Sequence, residues 1–376
     1  MKTIKIGMIG SGYIGKTHAI AYAAANTCFS LSRRIVKEYI AEKDASLAEH
    51  AAQQLGFERW TQDWRALVND PEIDIVDICS PNFMHKEMAI EAAKAGKTIY
   101  CEKPLGLNGE EALEMVKAAE AAGVKTLVGF NYIFNPATAL AKEMIEAGEI
   151  GDIIHFRGVH NEDYLADPKV PMGWRLTQKT GGAGALGDLG AHIIHMAEHL
   201  VGPFAEICAD TQTVIKERPL PDGEGMGLVE NEDQAQLLVR FVNGALGSVE
   251  TSRIATGKKM GLSYTITGTK GTIFFDQERM SEIKVFYNDD PSARQGFRTI
   301  LAGPEHPYYA GFCQAGGHGV GFNDQKIAEV KTLIDNLDSD QPLGPSFRDG
   351  LRINQLIDAV IQSANARTWI TTSPQG

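Results

Sequence analysis

The first third of the chain alternates short apolar runs with longer stretches of helical period. Residues 4–10 (IKIGMIG) read as a buried strand and 13–25 (YIGKTHAIAYAAA) as a helix. A second strand at 35–42 (IVKEYIAE) precedes an alanine-rich helix at 46–56, which a glycine closes. Strands follow at 74–80, 98–104 and 125–131, with helices over 85–96 and 109–123 between them. Such alternation predicts a doubly wound parallel sheet covered by helices on both faces.

The pattern changes near Asn131. After a helix over 137–151, strands dominate: 152–160, 233–241, 244–253, 262–268 and 271–276. Val242-Asn243-Gly244 reads as a hairpin turn and Gly268-Thr269-Lys270-Gly271 as another tight connection. The expected fold class is therefore an α/β domain over 1–130, followed over 131–376 by an α+β domain with a large, mostly antiparallel sheet. Two C-terminal helices, 324–337 and 348–364, are expected beside that sheet or back on the first domain.

Length supports two domains, since 376 residues exceed one ordinary core. With 43% hydrophobic and 22% charged residues, the composition is that of a globular protein. The net charge of -12 argues against nucleic acid as partner, because the basic clusters stop at Arg33-Arg34 and Lys258-Lys259. Five scattered cysteines without CxxC spacing suggest a reducing compartment. The first residues lack a signal-peptide core, and no run has the length of a membrane span. A cytoplasmic protein with no membrane partner is expected.

Gly10-Ser-Gly12-Tyr13-Ile14-Gly15 follows the first strand and opens the first helix, the context a GxGxxG dinucleotide motif requires. Gly10 turns the chain, Gly12 leaves room for a diphosphate, and Gly15 lets helix and sheet approach. The helix N-terminus supplies N–H groups and partial positive charge. Glu42 ends the second strand, where an acidic residue accepts from the adenosine ribose. Its charge favours NAD over NADP, with Lys43 beside it softening the preference. These features predict a Rossmann domain.

Two further segments, DICSPNFMH (77–85) and CEKPL (101–105), lie at the carboxyl ends of the next parallel strands, the edge where ligands bind. Together with GGAGALGDLGAH (181–192) they make the sequence resemble the Gfo/Idh/MocA family of NAD(P)-dependent oxidoreductases, which act on sugars, cyclitols and related polyols. Stretches at 130–132, 166–175, 296–299 and 303–308 are similar to the levoglucosan dehydrogenase branch. The resemblance implies an oligomer, a dimer or tetramer, through the antiparallel sheet.

The resemblance makes Lys103 of the EKP segment catalytic, a cation beside the reacting carbon that supports a developing alkoxide. It makes His192 the acceptor of the hydroxyl proton, a task suited to an imidazole titrating near neutrality. Asp188, at i−4 on the same expected helix face, orients that network and touches substrate. Ser80, Asn82 and His85 match cofactor-contacting positions, and Glu102 and Asn131 flank the nicotinamide. Tyr132, Asp163, Trp174 and Arg175 are substrate-side candidates. Ile133 and His195 depart from the family, where arginine and aspartate are frequent. Asp188, His192, His195 and His199 form a stripe that could hold zinc. The favoured reading of His195 and His199 is a helix face against the sheet, with no metal. The expectation is an NAD-dependent dehydrogenase that oxidises a secondary hydroxyl to a ketone. A glycoside hydrolase that retains NAD, a zinc enzyme and a non-catalytic regulator stand as alternatives.

Overall fold

The computed structural model describes residues 2–372. Its first part runs β1 (Thr3–Ile9), α1 (Tyr13–Cys28), β2 (Arg34–Ala41), α2 (Ala45–Leu55), β3 (Arg59–Thr61), α3 (Trp64–Val68), β4 (Ile75–Ile78), α4 (His85–Lys94), β5 (Thr98–Cys101), α5 (Gly109–Ala122) and β6 (Thr126–Val128). The strands pair in the order β3-β2-β1-β4-β5-β6, all parallel. Order reverses between β1 and β4, so the carboxyl ends of these two strands form the crevice typical of ligand binding.

Local chemistry explains the elements. Asp44 caps α2 by accepting from the Leu47 amide at 2.8 Å, and left-handed Gly56 ends it. Asn108 caps α5 by accepting from Glu111 N at 2.9 Å. Ile4, Ile6, Met8, Ile75, Val76 and Ile78 are buried, as central strands covered on both faces require. Asp77, in the middle of β4, is equally buried and is the exception. The structure extends α1 to Cys28, three residues beyond the expected helix over 13–25. Strand β3 was not legible, since three partly exposed residues carry too little period.

The rest comprises α6 (Pro136–Glu146), β7 (Ile153–Asn161), α7 (Gln178–Gly181), α8 (Ala191–Val201), β8 (Phe204–Gln212), β9 (Glu217–Pro219), β10 (Met226–Leu228), β11 (Gln234–Phe241), β12 (Leu246–Ser252), β13 (Gly261–Gly268), β14 (Gly271–Asp276), β15 (Glu282–Tyr287), β16 (Arg298–Leu301), α9 (Phe322–Asn336), α10 (Phe347–Ala366) and β17 (Ile370–Thr371). A nine-stranded sheet has the order β16-β15-β14-β13-β7-β12-β11-β8-β17, antiparallel except between β7 and β12. Strand β11 alternates buried Ala235, Leu237, Val239 and Phe241 with outward residues. Gly158 of β7 lets Ile193 of α8 pack close, since a Cβ there would stand 2.7 Å from Ile193 Cγ1.

The chain divides into two compact units, Met1–Asn131 with Gly321–Asn354, and Tyr132–Val320 with Gln355–Gly376. Residues 321–354, which hold α9 and the start of α10, cluster with the first unit, one of the two placements expected of the C-terminal helices. There α9 packs along α1, with Phe322 stacked on Tyr13 at 6.1 Å. No helix among the described residues is long and apolar enough to cross a membrane.

Candidate functional site

The glycine loop separates what the fold needs from what a ligand needs. Gly10 has φ +98°, and a Cβ there would stand 2.8 Å from the Cys79 carbonyl oxygen. At Gly15 a Cβ would stand 2.2 Å from the Gly10 carbonyl oxygen. Both must be glycine for the strand and helix to meet. Gly12 has ordinary φ −60°, and a Cβ there would touch nothing within 4 Å. It opens α1, which lacks a side-chain cap and has no acidic residue in its first turn. This open, positively polarised cradle fits a diphosphate. Glu42 Oε1 accepts from Ser11 N at 2.6 Å and Ser11 Oγ at 2.7 Å, and Oε2 accepts from Lys43 N at 3.1 Å. The carboxylate is therefore fixed beside the cradle, where ribose hydroxyls can donate to it. Tyr13 is exposed, and half-buried Ile14 packs against the buried cluster that includes Met8 and Ile40.

At the ends of β4 and β5, Ser80, Asn82 and half-buried Lys103 gather near the same edge. His85 is fully buried; its ring nitrogens lie 3.0 Å from the Pro104 carbonyl and 2.9 Å from the Ser80 carbonyl. Burial pushes its pKa down. It secures the two loops rather than presenting a polar atom to a cofactor, which corrects the contact role expected of it. Glu102 likewise turns both oxygens inward. Oε1 accepts from His18 Nε2 at 2.8 Å and Lys326 Nζ at 2.9 Å, and Oε2 accepts from the Lys103 amide at 3.2 Å. Asn131 Nδ2 is buried with no partner among the described residues, an orphaned donor suited to a carboxamide.

In the second unit, Leu186–Gly190 forms a π-helical turn that runs into α8, so Asp188 and His192 are not on one regular α-helical face as expected. Asp188 Oδ2 accepts from Tyr164 OH at 2.6 Å and lies 3.5 Å from Arg175 Nε. Arg175 in turn covers the Trp174 ring at 4.3 Å. His192 is nearly buried, with the Tyr132 ring 4.4 Å away and the His160 ring 5.7 Å away. The structure thus gathers Tyr132 with His192, and Trp174 and Arg175 with Asp188. Asp163, next to Tyr164, accepts from Lys259 Nζ at 2.7 Å and Gly257 N at 3.0 Å.

The four-residue stripe does not converge into a ligand set among the described residues. His195 and His199 stack at 6.1 Å, and burial, aided by His199, pulls the His195 pKa to about 3. The sequence reading missed Tyr164, His160, Ser11 and the buried group around His18. Their partners lie 24 or more residues away along the chain, out of reach of any local pattern.

Comparison with known proteins agrees with this geometry. The family model described as an oxidoreductase family with an NAD-binding Rossmann fold matches residues 4–130, and the GFO/IDH/MocA C-terminal domain matches residues 138–274. Levoglucosan dehydrogenase of Pseudarthrobacter phenanthrenivorans is 41% identical, covering 98% of both chains. Myo-inositol 2-dehydrogenase of Thermotoga maritima is 30% identical over 92% of each. A solved levoglucosan dehydrogenase in complex with NADH and levoglucosan superposes with TM-score 0.96 at 42% identity, over 98% of this chain and 99% of that one.

Proposed function

Because the chain belongs to the Gfo/Idh/MocA oxidoreductase family, we propose that it oxidises a secondary hydroxyl of a sugar, anhydrosugar or cyclitol with NAD as acceptor, with levoglucosan the first substrate to test. The observation that carries this reading is the open cradle at Gly12 with Glu42 locked beside it on Ser11. A carboxylate held at that position still has lone pairs to accept from ribose hydroxyls and repels a 2′-phosphate, which favours NAD.

In this reading the amides opening α1 hold the diphosphate, with Gly10, Gly12, Tyr13, Ile14 and Gly15 shaping the loop and Glu42 and Lys43 at the ribose. Ser80, Asn82 and Asn131 line the nicotinamide end. When bound, NAD supplies the hydride acceptor. His192 takes the hydroxyl proton, and the Tyr132 ring packed on it fixes the imidazole plane. Asp188, tied to Tyr164 and Arg175, orients substrate hydroxyls. Lys103 supports the oxygen as negative charge develops on it.

Assembly through the nine-stranded sheet is part of the same proposal. Leu238 and Leu246 stand exposed on the outward rows of β11 and β12, apolar groups that a second copy would cover. A panel of sugars, anhydrosugars and inositols with NAD and NADP, followed at the absorbance of the reduced cofactor, tests the reading. Turnover of an anhydrosugar or cyclitol with NAD is expected; reduction of neither cofactor by any member refutes it.

A further inference from the structure

Beneath the EKP segment lies a buried cluster of charged side chains that the reaction above does not use. His18, three residues past Gly15 on α1, is completely buried. Its Nδ1 lies 2.9 Å from Asp77 Oδ2, and its Nε2 lies 2.8 Å from Glu102 Oε1. Neutral imidazole carries one N–H and would aim a lone pair at one of these carboxylates; only the imidazolium donates to both. Lys326 of α9, also fully buried, donates to the same Glu102 oxygen at 2.9 Å and pairs with Glu329 Oε2 at 2.7 Å. Tyr22 of α1 donates to Asp77 Oδ2 at 2.8 Å. Tyr100 of β5 stacks on His18 at 4.6 Å, accepts from Lys326 at 3.0 Å and donates to Glu329. Other titratable neighbours are Cys79, whose thiol contacts Asp77, together with Cys101 and His85 near Glu102; burial pushes both thiols up and His85 down, which keeps them uncharged.

We propose that His18 and Lys326 are positioning residues for Lys103: two buried cations that grip one oxygen of Glu102 while its other oxygen holds the Lys103 amide. The proposal rests on the reading that Lys103 acts on substrate. Gly129 belongs to the same device, because a Cβ there would fall 2.3 Å from Glu102 Oε1. His18 also ties this grip to the helix whose N-terminus forms the cradle, so the diphosphate site and Lys103 share one scaffold. Electrostatics agree. Burial alone would lower the His18 pKa, and Lys326 lowers it too, but Asp77 and Glu102 raise it to about 8. Burial would raise Glu102, yet Lys326 and His18 hold it below the ordinary carboxylate range. His18, Asp77 and Cys79 stand at metal-ligating separations, but both His18 ring nitrogens already face carboxylates, and an imidazolium that donates to both has no lone pair left for an ion.

The test combines spectroscopy on the parent with kinetics on variants. In ¹⁵N-histidine-labelled protein at pH 7, with the resonance assigned by its loss in His18→Gln, both His18 nitrogens should resonate as protonated imidazolium. A neutral ring at pH 7 overturns the proposal, whatever the variants do. His18→Gln and Lys326→Met should lower kcat by about 10- to 100-fold, the cost of a small misplacement of a catalytic group, with the KM for NAD within about threefold of the parent. A purely structural role would instead lower the active fraction and leave kcat per NADH-binding site unchanged, which also overturns the proposal. Lys103→Ala serves as the reference. If it is inactive while both variants turn over normally, the positioning role falls and the role of Lys103 stands. If it stays active, the reading of Lys103 itself falls.

Discussion

Gly12→Ala distinguishes a loop built to hold a phosphate from one that only turns the chain. Its Cβ would meet nothing within 4 Å, and φ −60° with ψ −171° suits alanine. Loss of unfolded-state freedom favours alanine by about 0.4–1 kcal/mol, while its poorer N-cap preference costs about the same. Net stability should therefore stay within about 1 kcal/mol of the parent. Binding should not survive as well. A methyl at Gly12 stands where the diphosphate must approach the helix amides, and losing one charge-assisted hydrogen bond costs about 1.5–3 kcal/mol. That corresponds to a roughly 10- to 100-fold weaker Kd for NADH. Gly15→Ala is the contrast, because its Cβ would lie 2.2 Å from the Gly10 carbonyl oxygen and the fold itself must yield. Titration of NADH by fluorescence, alongside thermal melts, reads both effects. Parental NADH affinity in a well-folded Gly12→Ala protein would refute the diphosphate cradle.

Three other expectations follow from the same geometry. Glu42→Ser removes a charge that repels a 2′-phosphate, worth about 1–3 kcal/mol at effective dielectrics between water and a protein surface; the NADP-to-NAD ratio of kcat/KM should rise about 10- to 100-fold, and an unchanged ratio contradicts the assigned role. His18 has a folded pKa of about 8 against 6.5 unfolded, so its contribution is fully present below pH 6.5 and is lost as pH rises through about 8; the urea stability gap between parent and His18→Gln should be about 2 kcal/mol larger at pH 6 than at pH 9.5, and a gap that widens with pH is the wrong sign. Leu238→Lys places charge on the outward face of β11 and should shift sedimentation toward smaller species; unchanged sedimentation of a multimeric parent would move the interface elsewhere.

The strand–helix alternation was legible because the parallel strands are buried on both faces and read as nearly continuous apolar runs, as in TIYC of β5. The strict in-out alternation of β11 and β13 was legible for the opposite reason: one face is covered and one is not. Strand β8 was not legible because most of it is half-buried without a clean period, and β16 because it is short and largely exposed. The glycine loop and Glu42 stand out by local spacing and the EKP segment by family resemblance, so all three could be singled out in advance. The π turn at Leu186–Gly190 could not, since it depends on tertiary contacts such as Leu186 N donating to Glu232 Oε1 at 2.9 Å. Lys326 reaches Glu102 across 224 residues, and no window along the chain joins them. His85 resembled a cofactor contact by position, but burial turned its ring to backbone carbonyls instead.

The most direct measurement follows the hydride itself. Levoglucosan deuterated at its carbon-bound positions, incubated with the protein and NAD in ordinary water, should yield reduced cofactor carrying one deuterium at C4 of the nicotinamide, together with a ketone product in equal amount. Reduced cofactor without deuterium would contradict a direct transfer from the carbinol, and consumption of the sugar with no net NADH would contradict its net oxidation to a ketone.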